Sequence, residues 1–142
     1  MKNDIDKYFE EVSENFLQLK NQSEKIEKAI EVVINSIKSG NTIIFCGNGG
    51  SAADSQHLAA ELMGRYKIDR DPLSSIAITV DTSALTAIGN DYGYEKVFER
   101  QIRGIGKEGD VLIAISTSGK SCNVIEAIKV AKKMGISVIS FT

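Results

Sequence analysis

The chain has 142 residues, 42% of them hydrophobic and 25% charged, a composition that fits one globular domain and excludes disordered and fibrous proteins. Its 17 basic and 19 acidic residues leave a formal net charge of −2, so no long-range field attracts nucleic acid or an anionic membrane. The N-terminus lacks a secretory signal pattern, and no apolar run approaches the ~18 residues that span a bilayer. We therefore expect a cytoplasmic protein with neither nucleic acid nor membrane as partner.

The two cysteines agree with that location. Cys46 and Cys122 lie far apart in sequence and form no CxxC pair, so they offer no disulfide framework and suit a reducing compartment. Cys46 ends an apolar run and is interpreted as a buried structural thiol.

Two amphipathic helices are predicted at the start of the chain. Apolar residues recur at helical spacing from Ile5 to Leu19 and again from Ile26 to Ile37. Ser23 follows a polar break and is a candidate N-cap, and Gly40 is a candidate C-cap. We therefore predict an N-terminal helical hairpin over residues 1–40.

Residues 41–142 alternate short β-branched runs with helical patterns. Strands are predicted over 42–46, 75–80, 110–115 and 136–141, and helices over 52–66, 82–89, 96–105 and 121–134. Because the strands are apolar almost throughout, both of their faces should be covered by helices. The pattern predicts a doubly wound α/β fold with a parallel sheet in a single domain, 1–142. Since the fourth strand would be left uncovered, we also expect a further strand and helix beyond Thr142.

A glycine-rich loop follows the first predicted strand. We call residues 47–51 the glycine loop; its glycines permit positive φ and close backbone approach, and the helix after it offers free N–H groups to an anion. Its site residues would be Asn48, Gly49, Gly50 and Ser51. The loop also fits the loose dinucleotide fingerprint, with Asp81 as a conceivable ribose ligand, so a nicotinamide site is an alternative.

A second loop is rich in hydroxyl groups. Residues 116–121, the hydroxyl loop, follow the third predicted strand and open a helix, so their side chains could surround a phosphate without a large net charge. Its candidates are Ser116, Thr117, Ser118 and Ser121. A helix cap rich in Ser and Thr is the simpler interpretation. The end of the loop also imitates a P-loop, which would need a magnesium-binding acid on a later strand.

His57 and Glu61 are four residues apart on the helix after the glycine loop, and therefore share one face. Imidazole and carboxylate are both zinc ligands, and a carboxylate can also move a proton beside a carbonyl. A solvated helix face is the simpler interpretation. His57 is the only histidine of the chain, so these two ligands make an incomplete zinc site. Farther along, Asn90 and Asp91 are predicted in a polar turn, where they could bind sugar hydroxyls or only shape the chain.

Residues 45–66, 89–91, 109–112 and 115–119 together resemble the sugar isomerase (SIS) fold family, and within it the phosphoheptose isomerases. The resemblance runs from the helical hairpin to Thr142. It implies conversion of sedoheptulose 7-phosphate to D-glycero-D-manno-heptose 7-phosphate through an enediol, the first step towards the heptoses of bacterial lipopolysaccharide or capsule. It also implies a homotetramer with active sites at subunit interfaces.

The resemblance assigns roles residue by residue. Asn48, Gly49, Gly50 and Ser51 would line the sugar site, Asn90 and Asp91 would contact it, and Ser116, Thr117, Ser118 and Ser121 would hold the phosphate. His57 and Glu61 would bind zinc, and Glu61 would also be the catalytic acid–base. The family supplies a Gln and a second His from a C-terminal helix, which this sequence does not reach.

Two alternatives remain open. One is a non-catalytic module of the same fold, such as the protein that associates with the bacterial replication initiator, which carries a small residue where Glu61 stands. The presence of Glu61 favours the enzyme. The other is an isomerase or a sensor of another sugar phosphate, because nothing in the two loops measures the length of the sugar.

Overall fold

A computed structural model describes residues 1–142, in two compact units, Met1–Glu31 and Val32–Thr142. The first unit is helical. It contains α1 (Lys2–Gln18), a 3-10 turn (Leu19–Gln22) and the first half of α2 (Ser23–Lys38), which confirms the two predicted helices. Ser23 is not the predicted N-cap: its backbone is already helical, and its hydroxyl donates to the Lys20 carbonyl at 2.8 Å.

The apolar stripe of the first unit is open to solvent. No residue of α1 is buried, and Phe9 and Phe16 keep 65% and 69% of their surface exposed. Helices of this kind gain most of their stability from packing an apolar face.

The second unit begins with the last two turns of α2. There Val33 and Ile37 pack against the sheet, as the helical spacing predicts. Gly40 ends the helix with φ of 74°, and its N–H donates to the Ile37 carbonyl while Asn41 donates to Ser36. This pair of bonds is the Schellman arrangement, which confirms Gly40 as the glycine of the C-terminal cap.

Four parallel strands form one sheet in the order β2-β1-β3-β4. Their bounds are Ile43–Gly47 for β1, Ser75–Ala77 for β2, Val111–Ile115 for β3 and Ser137–Phe141 for β4. The strand register sets Gly47 opposite Ile115, so the two central strands end level with each other. All four predicted strands are present, although β2 is half the expected length.

Helices connect the strands. They are α3 (Gly50–Met63), α4 (Thr82–Tyr92), α5 (Val97–Ile105) and α6 (Cys122–Lys133), with a 3-10 turn at Tyr94–Lys96 before α5. A second prediction of local structure is also wrong: Asn90 and Asp91 do not form a turn but belong to the last turn of α4. The helix continues through them and ends only at Gly93, whose φ of 88° an L side chain rarely adopts.

Both faces of the sheet are buried, as the apolar strands predict. On one face Ile44 and Leu112 pack with Phe98, Val124 and other residues of α5 and α6. On the other face Phe45 and Ile113 pack with α3 and the end of α2. Cys46 is fully buried, and this burial raises the pKa of its thiol to about 12, so the interpretation as a structural thiol is confirmed.

None of the helices combines the length with the apolar character needed to cross a bilayer.

Candidate functional site

The two candidate loops leave the sheet side by side. The glycine loop follows β1 and the hydroxyl loop follows β3, and these neighbouring strands end level at Gly47 and Ile115. From this pair the chain winds outward in opposite directions, to β2 on one side and to β4 on the other. Such a switch point at the carboxyl ends of the strands is where open α/β sheets bind ligands.

The glycine loop makes a sharp turn from β1 into α3. Gly49 is the N-cap of α3, with φ of 56° and ψ of −119°, angles that only glycine adopts readily. Gly47 packs so closely on the first turn that a Cβ there would lie 2.7 Å from the Cβ of Ser51. The loop therefore presents Gly49 and Gly50 as exposed backbone, with Ser51 half-buried beneath them.

The hydroxyl loop is closed by its own side chains. The hydroxyl of Ser116 donates to that of Ser121 over 3.1 Å, and the hydroxyl of Ser118 accepts the N–H of Lys120. Thr117 and Ser118 are exposed, whereas Ser116 is buried at the base of the loop. Because α6 begins directly after Ser121, the positive end of its dipole lies at this loop, an arrangement that suits an anion.

A pair of side-chain amides joins the two loops. Asn48 of the glycine loop donates from Nδ2 to Oδ1 of Asn123 at 2.9 Å, and Asn123 donates back to Oδ1 of Asn48 at 2.8 Å. Asn123 lies in the first turn of α6 and is 3% exposed. The hydroxyl of Tyr94 reaches the same Oδ1 of Asn48 at 3.2 Å.

The turn that carries Tyr94 is held against α6 by charge. Lys96 donates to one carboxylate oxygen of Glu126 at 3.0 Å, and Lys129 donates to the other at 2.7 Å. The hydrogen bond from Lys129, followed by that from Lys96, lowers the pKa of Glu126 to about 2, and the bond to Glu126 raises the pKa of Lys96. Tyr94 and Asn123 therefore stand on elements that are tied to each other.

His57 and Glu61 meet on one exposed face of α3. Their closest atoms, Nε2 and Oε1, are 3.7 Å apart, and the side chains are 73% and 32% exposed. Neither side chain is hydrogen-bonded to the loops. At 1.5 Å per residue, Glu61 lies roughly 16 Å along the helix axis from Gly50. Within one chain, Glu61 is therefore distant from the glycine loop.

The donor set at this pair fits part of a zinc site. An imidazole nitrogen and a carboxylate oxygen of one helical turn face the same side, with the spacing that zinc ligands at i and i+4 use. No third His, Cys, Asp or Glu joins them in a group that could hold a metal. The residues present could thus supply two of the four ligands that a zinc ion takes.

Asn90 and Asp91 are exposed at the end of α4 and bonded to each other, with Asn90 donating to Asp91 at 2.8 Å. Neither is hydrogen-bonded to the other candidate residues. Asp81, the ribose ligand of the dinucleotide alternative, instead caps α4: its Oδ1 accepts the N–H of Ala84 at 2.9 Å. This capping hydrogen bond accounts for an aspartate at position 81 without a bound nucleotide.

The sequence analysis missed Asn123, Tyr94 and Arg70. Arg70 donates from its guanidinium to the backbone carbonyls of Glu61, Leu62, Gly64 and Asp71. Asn123 had a recognisable signal, because it lies on the same inward stripe of α6 as Ala127 and Ala131, where a polar residue needs a partner. Tyr94 carries no comparable signal, since it acts across the fold, and Arg70 carries none because its partners are backbone carbonyls.

The model of the SIS domain family matches residues 7–142. Among curated proteins, the phosphoheptose isomerase of Akkermansia muciniphila is 52% identical over 92% of this chain and 69% of its own length. That of Campylobacter concisus is 60% identical over 82% of this chain and 62% of its own length. The chain thus spans about two thirds of these relatives.

A solved structure shows the same fold. It is described as a phosphoheptose isomerase from Francisella tularensis, and it superimposes with a TM-score of 0.92 at 32% identity. The superposition covers 97% of this chain and 73% of that one. The parallel sheet, its flanking helices and the placement of the two loops are therefore those of an established fold.

Proposed function

This chain belongs to the SIS domain family, among relatives named phosphoheptose isomerase, and on that premise we propose that it isomerises a sugar phosphate. The specific reaction proposed is the conversion of sedoheptulose 7-phosphate to D-glycero-D-manno-heptose 7-phosphate. One observation carries the proposal: a glycine loop and a hydroxyl loop stand side by side at the sheet's switch point and are joined by Asn48 and Asn123.

The hydroxyl loop is the proposed phosphate site. Thr117 and Ser118 are exposed above the start of α6, while Ser116 and Ser121 close the loop beneath them. Hydroxyl donors at a helix N-terminus bind a phosphate dianion without a neighbouring cluster of basic residues. This suits a chain whose net charge is only −2.

The glycine loop is the proposed sugar site. Gly49 and Gly50 leave the backbone open to close approach, and Asn48 and Ser51 add side-chain hydrogen-bonding groups. Asn90 and Asp91 are proposed to contact the sugar as well. Because both are exposed at the end of α4, their amide and carboxylate can hydrogen-bond hydroxyl groups in addition to each other.

Glu61 is the proposed acid–base group. Aldose–ketose interconversion through an enediol moves one proton between neighbouring carbons, a task for a carboxylate such as Glu61, while a second group must move a proton between the two oxygens. His57 and Glu61 are the proposed zinc ligands on this chain. Zinc, when bound, would supply a Lewis acid that stabilises negative charge on a substrate oxygen.

We further propose that the enzyme acts as a homotetramer with active sites between subunits. Two observations support this. Glu61 lies roughly 16 Å along α3 from the glycine loop of its own chain, so a second chain could supply it to that loop. The stripe that includes Phe9 and Phe16 is exposed and would be covered by association.

The proposed location is the bacterial cytoplasm, and the proposed pathway is heptose synthesis for lipopolysaccharide or capsule. Cys46 and Cys122 are both free, as in proteins of reducing compartments. The relatives' name, phosphoheptose isomerase, supports the seven-carbon substrate.

The test is turnover of sedoheptulose 7-phosphate by the full-length protein, as wild type and as Glu61→Gln, each with and without a chelator. We expect Glu61→Gln to lower kcat by about 100- to 10,000-fold, the range of a lost general base. The chelator should abolish wild-type activity, and added zinc should restore it.

Glu108→Gln is the matched control. Glu108 lies in the loop before β3, at the amino-terminal ends of the strands, whereas the two candidate loops lie at the carboxyl ends. Its activity should equal that of the wild type. Undiminished turnover in Glu61→Gln would contradict the assigned mechanism. A wild type that binds the sugar phosphate without converting it would instead indicate a sensor or binding module.

A further inference from the structure

We propose that Asn123 is a positioning residue that fixes the amide of Asn48 with one N–H free, so that Asn48 acts on the substrate as a hydrogen-bond donor. The inference deepens the proposed function and rests on it for the nature of the ligand. It assigns a role in ligand recognition to a buried side chain of α6 that has no direct access to the site.

The orientation of both amides follows from one backbone group. The N–H of Val124 can only donate, and it donates to Asn123 over 3.0 Å, so the accepting atom must be the oxygen Oδ1. This leaves the Nδ2 of Asn123 as the donor to Asn48. The atom of Asn48 that accepts it must then be Oδ1, and the amide of Asn48 cannot be flipped without losing two bonds.

The hydrogen bonds of Asn48 can now be counted. Its Oδ1 accepts from Asn123 and from Tyr94, which occupies both lone pairs. Its Nδ2 donates one hydrogen to Asn123 and keeps the second. The only unused capacity of this side chain is therefore one N–H, which can bind an acceptor such as a hydroxyl or carbonyl oxygen of a sugar.

Burial makes the arrangement rigid. Asn123 is 3% exposed, so water competes little for its amide, and any partner that it loses leaves a buried polar group unpaired. The pair also links the loop after β1 to the helix after β3, so the spacing of the two proposed subsites is set before the ligand arrives.

The kinetic test compares the wild type with Asn123→Asp. A carboxylate is nearly the same shape and can still accept the Val124 N–H, but it cannot donate to Oδ1 of Asn48. We expect KM for sedoheptulose 7-phosphate to rise about tenfold, with kcat changed less than about threefold, because a hydrogen bond to the bound substrate is lost. Tyr94→Phe removes one weaker partner and should raise KM about two- to threefold.

A purely structural role for Asn123 would give a different result. A smaller folded fraction lowers apparent kcat and leaves KM unchanged. Ser75→Ala is the matched control, because Ser75 is also buried and donates to the Ala59 carbonyl, away from the two loops. It should leave KM at the wild-type value, whatever it does to the folded fraction.

Nuclear magnetic resonance gives a readout that does not depend on catalysis. The two Nδ2 protons of Asn48, assigned by their loss in Asn48→Asp, should be widely separated in the wild type because only one of them is bonded. In Asn123→Leu, which removes the acceptor of that bond as well as the donor to Asn48, the separation should collapse. An unchanged spectrum, or an unchanged KM in an active variant, would overturn the positioning role. A wild type with separated resonances but no turnover would overturn the proposed function and leave the orientation of Asn48 established.

Discussion

The guanidinium of Arg70 donates from Nη2 to the backbone carbonyl of Glu61 over 2.8 Å, and so closes the helix that carries the proposed acid–base residue. Its Nη1 donates to the carbonyl of Leu62 at 2.9 Å, and more weakly to that of Gly64. The last carbonyls of a helix have no partners within it and form the negative end of its dipole. A single cation therefore binds two of the last carbonyls of α3.

We predict that Arg70→Ala lowers the free energy of unfolding by about 1–2 kcal/mol, because several charge-assisted hydrogen bonds are lost at a partly exposed position. Arg70→Lys should recover only part of this, since an ammonium cannot spread across several carbonyls as the planar guanidinium does. Urea denaturation followed by circular dichroism measures both. Arg103→Ala, which removes an exposed arginine paired only with Glu99, should change stability by less than about 0.5 kcal/mol.

Two glycines of the glycine loop, Gly47 and Gly50, should respond in opposite ways to alanine. A Cβ at Gly47 would lie 2.8 Å from the carbonyl oxygen of Ser51, so Gly47→Ala forces the turn open and should cost about 1–3 kcal/mol. A Cβ at Gly50 would meet nothing within 4 Å, and Gly50→Ala should be neutral or stabilising by up to about 1 kcal/mol. Thermal and urea unfolding measure the change in unfolding free energy of both variants. Equal destabilisation of the two would contradict the close packing of Gly47.

The two thiols should differ sharply in reactivity. Burial raises the pKa of Cys46 to about 12, so its thiolate is absent at neutral pH, whereas Cys122 is exposed at the start of α6. A colourimetric disulfide reagent should titrate one thiol per native chain and two after denaturation. Cys122→Ser should abolish the native reaction, and rapid modification of that variant would show that Cys46 is accessible.

Glu126 should contribute to stability in a pH-dependent way. Its pKa is lowered to about 2 by hydrogen bonds from Lys129 and Lys96, so its contribution is complete above the ordinary value of 4.5 and is lost as pH falls towards 2. The difference in unfolding free energy between the wild type and Glu126→Gln should therefore shrink across that range. At alkaline pH the limit is set by Lys96, whose pKa is raised. Its contribution to stability is lost when pH rises through the pKa that Lys96 has in the folded state.

Denaturation curves at a series of acidic pH values test the Glu126 prediction. Glu10→Gln serves as the control, since Glu10 is exposed on α1 and forms no ion pair. A difference between the wild type and Glu126→Gln that stays constant with pH would show that the carboxylate is not bound by the two lysines.

Patterns that depend on burial were readable from the sequence. The strands at Ile43–Gly47 and Val111–Ile115 are apolar because helices cover both faces, and the observed bounds differ from the predicted ones by one residue. The glycine and hydroxyl loops were predictable for the same reason: where the strands end, the composition changes at once to Gly, Ser and Thr.

Local composition was misleading at Asn90 and Asp91. Both residue types favour turns, yet α4 runs through them because Leu85 and Ile88 of the same helix pack on the core and carry the helix onward to Gly93. Tertiary packing thus outweighed the local preference.

Contacts between distant segments could not be read from spacing. Asn48 and Asn123 are separated by 75 residues, and only the parallel pairing of β1 with β3 brings them together. The relation of Glu61 to the glycine loop was hidden in the same way: proximity in sequence suggested a shared site, but the straight rise of α3 carries the carboxylate away from the loop.

The amide pair also constrains how this protein can change over generations. If either Asn48 or Asn123 is replaced alone, the other loses its complementary donor and acceptor, and in the case of Asn123 that loss occurs out of reach of water. Sequential drift through single substitutions would pass through an impaired intermediate. Descendants of a common ancestor should therefore keep both asparagines or exchange both, and the two positions should covary even where the surrounding helix diverges.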